Sequence, residues 1–192
     1  MFSFTRLRGA DPTLGCEMSS TGEVACFGAD VHEAFLQALL ATNFQLPQKT
    51  ADKFILISIA EDSMRLEFFE SVKLLFQMGY QLAGTPGTAA YYSEQGIPMR
   101  QLDKPSDESV EQLPKDGVLA WIRDKRVDLC INIPEGTSRT EEITGGYLMR
   151  RAAVDFGCSL LTNIKIAILF VSALHRNLKL PCKAAEEWLT PA

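Results

Sequence analysis

The chain has 192 residues, a net charge of −5 at pH 7, 46% hydrophobic residues and 22% charged residues, which fits one domain or a two-part globular chain. The negative charge argues against a general nucleic-acid binder, which usually needs a basic surface, but it leaves a small anionic ligand open. No apolar stretch approaches the roughly 20 residues of a membrane span, and residues 1–6 lack the apolar core of a signal peptide. A cytoplasmic protein without a nucleic-acid or membrane partner is expected.

The chain offers little material for metal or disulfide chemistry. Its two histidines are His32 and His175. Its cysteines are odd in number and never spaced Cys-x-x-Cys, so free buried thiols are expected rather than a zinc site or a disulfide framework: Cys16, Cys26, Cys130, Cys158 and Cys182.

The N-terminal quarter of the chain does not read as a domain. The sequence predicts short extended pieces broken by Gly and Pro at residues 2–12 and 16–28, and a helix at residues 31–41 with Asp30 as its N-cap. Because this is too little to bury a core, we predict that residues 1–49 are the tail of a larger neighbouring unit plus a linker. Residues 50–192 would then form the second unit.

From residue 53 onward, apolar runs alternate with helical patterns. The runs predict strands at residues 54–60, 80–83, 98–102, 127–133 and 159–162. Helices are predicted at residues 64–78, 89–95, 113–125, 141–156 and 163–175. Gly79 fits the glycine that commonly follows the end of a helix, here the first of these. Continuous apolar strands are typical of parallel sheets that are covered on both faces. The predicted fold is therefore α/β, a Rossmann-like, doubly wound sheet of five parallel strands, preceded by an N-terminal extension.

The motif Gly84-Thr-Pro-Gly-Thr88 stands between the second strand and the following helix. A strand that ends at glycines and continues as a helix aims backbone N–H groups at one point, which suits an anion. Thr85 and Thr88 add hydroxyl groups, and Gly87 lets a ligand approach the backbone closely. The alternative is a purely structural turn, because short motifs of this kind have many false positives.

Other polar residues are predicted to lie at the same edge, because ligands of doubly wound sheets bind outside the carboxyl ends of the strands. The candidate ligand contacts are Ser58, Arg65, Thr85, Gly87, Thr88, Lys104, Asn132, Thr162 and Asn163. With hydroxyls, an amide and two cations they predict a pocket for a phosphate that bears a ribose or base. Each residue also has a structural alternative: a satisfied strand edge, a turn former or a solvated surface charge.

Two further observations concern arginines and catalysis. Arg150 and Arg151 are adjacent on a predicted helix and so point in different directions. One can pair internally while the other faces a partner, although a solvated or salt-bridged pair is favoured. The pocket edge offers Asp103 and Glu61 but no histidine, so no catalytic residue is assigned and binding is expected instead.

The chain resembles carbamoyl phosphate synthetase over nearly its whole length. Residues 2–7, 10–12, 17–24 and 34–40 resemble the end of the carbamoyl-phosphate-forming half of that enzyme. The remainder resembles the methylglyoxal-synthase-like domain that closes it. The motifs that match in order and spacing are Gly84-Thr-Pro-Gly-Thr88, Asp128-Leu-Cys-Ile-Asn132 and Arg150-Arg-Ala-Ala-Val154.

The resemblance implies a regulatory domain that carries no step of the synthesis and needs no cofactor of its own. Its partners would be a small effector and the synthetase domains of the parent chain, which use ATP and magnesium. Two effector classes are implied by the family. Pyrimidine-pathway enzymes respond to uridine nucleotides, often together with phosphoribosyl pyrophosphate, and urea-cycle enzymes respond to N-acetylglutamate.

Three positions favour the pyrimidine class within this resemblance. Lys104 matches a phosphate-binding lysine where the acetylglutamate type has a tryptophan, and Glu135 and Gly146 stand where that type has asparagines. Ser58 matches a phosphate-site serine, and Arg65 lies nearest to a phosphate-site lysine. The expected ligand is therefore a UTP- or UMP-like phosphorylated effector. The alternatives are an N-acetylglutamate-responsive domain and a free-standing methylglyoxal synthase.

Overall fold

The predicted parallel sheet is present in the computed structural model, which describes residues 26–105, 115–134, 145–176 and residue 187. Its strands lie in the order β3-β2-β1-β4-β5, and every neighbouring pair is parallel. They span β1 Phe54–Ile59, β2 Gln81–Gly84, β3 Arg100–Gln101, β4 Val127–Ile133 and β5 Ser159–Leu161. The α/β, doubly wound fold with five parallel strands is confirmed.

Helices cover both faces of this sheet. They are α1 Val31–Ala41, α2 Asp62–Glu67, α3 Phe69–Gln77, α4 Pro86–Glu94, α5 Val118–Arg123, α6 Gly145–Asp155 and α7 Ile164–His175. Alternate residues of β1 point to opposite faces. Ile57 belongs to a core formed with α1, α3, α4 and α7, whereas Leu56 belongs to a second core formed with α5 and α6. The continuous apolar strands reflect this burial on both faces.

Several predicted elements differ from the structure in extent. The helix predicted at residues 113–125 is shortened to Val118–Arg123 within the described residues, and its predicted residues 113 and 114 lie outside them. The single helix predicted at residues 64–78 is divided into α2 and α3 at Phe68, a fully buried residue with φ −88° and ψ −1°. The helix predicted to begin at residue 89 begins at Pro86, because a proline with its fixed φ fits the first helical position. The third strand is reduced to Arg100–Gln101.

Two predicted helix ends are confirmed by their hydrogen bonds. The Asp30 carboxylate accepts from the backbone N–H groups of His32 and Glu33 at the start of α1. At the end of α3, Gly79 has φ +87°, and the N–H groups of Gly79 and Tyr80 donate to carbonyls of the last helical turn. This pattern is a Schellman motif, which explains the glycine at this position.

The helix α1 packs on α7, although it lies in the segment predicted to be a tail. Leu36 is 3% exposed within the core, and Nε2 of His32 lies 3.1 Å from Oγ of Ser172. Beyond α1, the backbone of Gln45 exchanges hydrogen bonds of 3.0 and 2.9 Å with the hydroxyl of Ser159 in β5. The predicted division at residues 49 and 50 remains a prediction, and residues 1–25 lie outside the described part.

Three of the cysteines lie in the described part, and all three are free thiols. Cys130 and Cys158 are buried as expected, whereas Cys26 is half-buried. Burial raises the pKa of the Cys158 thiol to about 12 and that of Cys130 well above its ordinary value, so both remain protonated. No helix within the described ranges is both long and apolar enough to cross a bilayer.

If α1 is an integral part of the folded unit, Leu36→Ala will lower the free energy of unfolding by about 2–5 kcal/mol, because it leaves a cavity in the core. Leu40→Ala on the same helix is the matched control, since Leu40 is 40% exposed and should cost under about 1 kcal/mol. Urea unfolding of both variants measures the difference. Equal, small losses would show that α1 is an appendage.

Candidate functional site

The candidate site lies where the order of the strands reverses. From β1 the chain adds β2 and β3 on one side of the sheet, and it then crosses to add β4 and β5 on the other. β1 and β4 are therefore neighbours whose following segments leave in opposite directions, which opens a crevice at their carboxyl ends. Ser58 and Asn132 are paired across these two strands at that end.

Most of the buried polar side chains lie at this edge of the sheet. The part of the chain that is described buries six polar or charged side chains, and all except Ser71 lie here: Ser58, Thr85, Thr88, Asn132 and Arg150. Buried polar groups cost free energy unless they are hydrogen-bonded. Their concentration at one edge makes this edge the candidate site.

The Gly-Thr motif forms one wall of the site. Thr85 is the residue before α4, and its hydroxyl lies 3.3 Å from Oγ of Ser58 and 3.4 Å from Oγ1 of Thr88. Thr88 accepts a hydrogen bond from N–H of Ile59 at 3.1 Å and lies 3.2 Å from its carbonyl oxygen. The structural interpretation applies to Thr88, which braces β1, whereas the anion-site interpretation of the motif remains a prediction.

Arg65 brings a cation to this wall. Its Nε donates to the carbonyl of Ile59 at 2.9 Å, its Nη2 donates to the carbonyl of Ala60 at 3.0 Å, and it forms an ion pair with Asp62. Nη2 lies 3.2 Å from the position that a Cβ on Gly87 would occupy, so a larger residue there would crowd the guanidinium group. With 16% of its side chain exposed, Arg65 is not a solvated surface charge.

Lys104 lies on the loop that follows β3. It is exposed, and within the described ranges it makes no hydrogen bond or ion pair. The carbonyl of the next residue, Pro105, lies 2.9 Å from where a Cβ of Gly145 would be, so the loop rests on the start of α6. This contact brings the Lys104 segment to the carboxyl edge of the sheet.

The two predicted residues after β5 have different positions. Leu161 pairs with Ile131, so continuing the register places Thr162 beside Asn132. Asn163 is the N-cap of α7, and its Oδ1 accepts from the N–H groups of Lys165 and Ile166 at 3.0 and 3.2 Å. The side-chain oxygen of Asn163 is therefore engaged in helix capping.

Arg150 lies beside Asn132 at this edge, although the sequence did not predict it as a ligand contact. It is 5% exposed, and its Nη1 donates to Oδ1 of Asn132 at 2.9 Å. Arg151 points elsewhere and pairs with Asp155 one turn along α6, with Nε 3.0 Å from Oδ2. The sequence indicated that two adjacent arginines on a helix point in different directions, but it did not indicate which of them is buried.

The assembled groups are suited to binding an oxygen-rich anion. The site contains hydroxyls, an amide, two buried or half-buried guanidinium groups and the N-terminus of α4. Near it, the Tyr92 hydroxyl donates to the carbonyl of Arg65 at 2.9 Å, and burial raises the pKa of this phenol, which keeps it neutral. The described residues hold no group of three His, Cys, Asp or Glu side chains arranged for a metal ion.

Comparison with known proteins yields a family and several relatives. The profile of the MGS-like domain family matches residues 67–162. Multifunctional protein URA2 of Saccharomyces cerevisiae is 42% identical over 182 residues, which are 93% of this chain and 8% of that protein. Carbamoyl-phosphate synthase (ammonia), mitochondrial, of Homo sapiens is 41% identical over 185 residues, which are 96% of this chain and 12% of that protein. The chain thus spans a small part of these relatives.

A solved structure also matches part of the chain. Methylglyoxal synthase from Elizabethkingia anophelis NUHP1 superposes with a TM-score of 0.46 at 12% sequence identity. The superposition covers 67% of this chain and 83% of that chain.

Thr88→Val should lower the free energy of unfolding by about 1–3 kcal/mol, because the buried N–H of Ile59 loses its acceptor without a change in side-chain size. Thr162→Val is the matched control, since the described contacts show no hydrogen bond for the Thr162 side chain and its loss should stay within about 0.5 kcal/mol. Denaturant unfolding compares the two. Equal effects would contradict the bracing role of Thr88.

Proposed function

The chain belongs to the MGS-like domain family and is homologous to carbamoyl phosphate synthetases, and from this we propose that it is an effector-binding regulatory domain whose ligand is a uridine nucleotide. The observation that carries the proposal is the concentration of buried polar side chains at the topological switch point, with Arg65 and Lys104 beside them. Hydroxyls, backbone N–H groups and cations are the groups that bind phosphate. Phosphoribosyl pyrophosphate has the same phosphate chemistry and is a second candidate effector.

Regulation would follow from differential binding. A ligand that binds one arrangement of this domain and the synthetase domains more tightly than another shifts the enzyme toward it, and the coupling is reciprocal. On this proposal the domain is cytoplasmic and needs no cofactor of its own. ATP and magnesium would act on the synthetase domains of the parent chain, and the domain would contact neither nucleic acid nor membrane.

N-acetylglutamate is the competing effector, and overall identity does not distinguish the two. The yeast multifunctional protein and the human ammonia-type synthase are 42% and 41% identical to this chain. Individual positions, and not overall identity, favour a uridine nucleotide over N-acetylglutamate. Lys104 supplies a cation for phosphate, and Gly146 at the start of α6 offers no side-chain amide where the acetylglutamate type carries one. Glu135, the third discriminating residue, lies outside the described part.

A free-standing methylglyoxal synthase is disfavoured by the positions of both histidines. The helix α7 begins at the carboxyl edge of the sheet, directly after β5, and runs away from it to its last residue, His175. His32 contacts Ser172 near that same far end of α7. Neither imidazole therefore lies at the site, where an acid–base step on a bound phosphate ester would need it.

The first experiment is a set of parallel calorimetric titrations of this chain with UTP, phosphoribosyl pyrophosphate and N-acetylglutamate. Heat with a phosphorylated ligand alone is the expected result. Heat with N-acetylglutamate alone would overturn the uridine assignment in favour of the urea-cycle class. No heat with any of the three would contradict effector binding by this chain.

Lys104→Ala should weaken UTP binding by about 1.5–3 kcal/mol, the range for a hydrogen bond to a charged group, while the free energy of unfolding stays unchanged because the side chain is exposed. Lys73→Ala is the control: Lys73 is an exposed lysine on α3 that pairs with Glu70. The same calorimetry measures both variants. An unchanged UTP affinity in Lys104→Ala would remove Lys104 from the site.

A further inference from the structure

Arg150 is the one charged residue buried within the described ranges, at 5% exposure. It lies on α6 between Met149 and Arg151, on the face of the sheet where Met149 and Ala153 pack against Cys130. A guanidinium in such surroundings is costly unless its N–H groups are hydrogen-bonded. One of its hydrogen bonds joins Nη1 to Oδ1 of Asn132 at 2.9 Å.

This hydrogen bond determines how the amide of Asn132 is oriented. A guanidinium only donates, so the atom of Asn132 that faces Arg150 must be the carbonyl oxygen and not the nitrogen. If the amide of Asn132 were flipped, its Nδ2 group would face the guanidinium of Arg150, and both groups are donors. The Nδ2 group is therefore directed away from Arg150, and no described residue accepts a hydrogen bond from it.

We propose that Arg150 is a positioning residue of this site, which acts by holding Asn132 as a hydrogen-bond donor toward the ligand. The ligand group beside Asn132 must then offer an acceptor oxygen, from a phosphate, a ribose or a carbonyl, and it cannot be a group that only donates, such as an ammonium group. The inference rests on the proposed effector function for the identity of the ligand, but the orientation of Asn132 rests on its contact with Arg150.

The low polarity of the surroundings makes this arrangement effective. Arg150 and Asn132 are both nearly inaccessible to solvent, so water does not compete for their hydrogen bond. Asn132 is also paired in register with Ser58, whose hydroxyl lies 3.3 Å from Thr85. An oriented amide donor and the hydroxyl pair therefore stand side by side on neighbouring strands.

The first test is a double-mutant cycle in UTP affinity. Arg150→Gln should raise the Kd for UTP about tenfold, and it should have no further effect in an Asn132→Ala background. Arg151→Gln, on the same helix and paired with Asp155, should leave the Kd unchanged. A tenfold loss that persists in the Asn132→Ala background would overturn the proposal, because Arg150 would then act independently of Asn132.

A comparison of two ligands shows which part of the ligand supplies the acceptor oxygen. The Kd loss caused by Asn132→Ala is measured with UTP and with phosphoribosyl pyrophosphate, which has no base. Similar losses with both ligands assign a phosphate or ribose oxygen to Asn132, and a loss with UTP alone assigns a carbonyl of the base. A Kd that is unchanged with both ligands would overturn the proposal.

A ligand-free test separates this inference from the effector assignment. Asn132→Asp places a carboxylate against Arg150, and its melting temperature should stay within a few degrees of that of the wild type, because the buried charges pair. Adding Arg150→Gln should then lower the melting temperature far more than the same change does beside Asn132. The double variant should regain stability as the pH falls and the buried carboxyl is protonated.

An equal effect of Arg150→Gln in both backgrounds would overturn the inference. This result does not depend on UTP binding. If the wild type binds no phosphorylated ligand, the proposed function fails, and the melting experiment still decides whether Arg150 orients residue 132.

Discussion

The register between β1 and β4 places Ser58 against Asn132, and the candidate site depends on this pairing. At a switch point the segments after the two strands leave in opposite directions, so no single helix covers both carboxyl ends. Before this pair, residues 54–57 of β1 and residues 129–131 of β4 are all apolar, and two helical layers bury most of them. Ser58 and Asn132 therefore bring polar groups to the carboxyl ends of β1 and β4, where they stand among apolar residues that belong to the core, including Ile59 and Ile133.

Polar groups that are buried there need hydrogen-bond partners, and residues from three helices provide them. Thr88 reaches from α4 to the backbone of Ile59, Arg150 reaches from α6 to Asn132, and Arg65 reaches back to the carbonyls that end β1. Each contact joins a helix to a strand end at the carboxyl edge of the sheet. Ligand binding would occur on a surface whose donors are already oriented, which reduces the ordering cost of association.

The position of α7 connects this site to the remainder of the chain. Its N-terminus is capped by Asn163 at the carboxyl edge, and its C-terminal part contacts α1 through Ser172 and through the ion pair of Arg176 with Asp30. Because α1 lies in the part of the sequence that resembles the synthetase, this helix pair is a direct physical connection between the candidate site and the preceding segment. Any coupling between these two parts of the chain would use the packed side chains of α7 and α1.

The sequence by itself determined the fold class, the five strands, the cap at Asp30 and the glycine at position 79, because these depend on residue spacing and on neighbours within one turn. It also predicted that Ser58, Thr85, Thr88 and Asn132 meet at one edge, since the carboxyl ends of parallel strands share an edge. Only the tertiary structure decided that Arg150 and not Arg151 turns inward, and that Phe68 divides a predicted helix in two. Both are decided by packing against residues distant in sequence: Asn132 lies on another element 18 residues away from Arg150, and local spacing carries no information about such a contact.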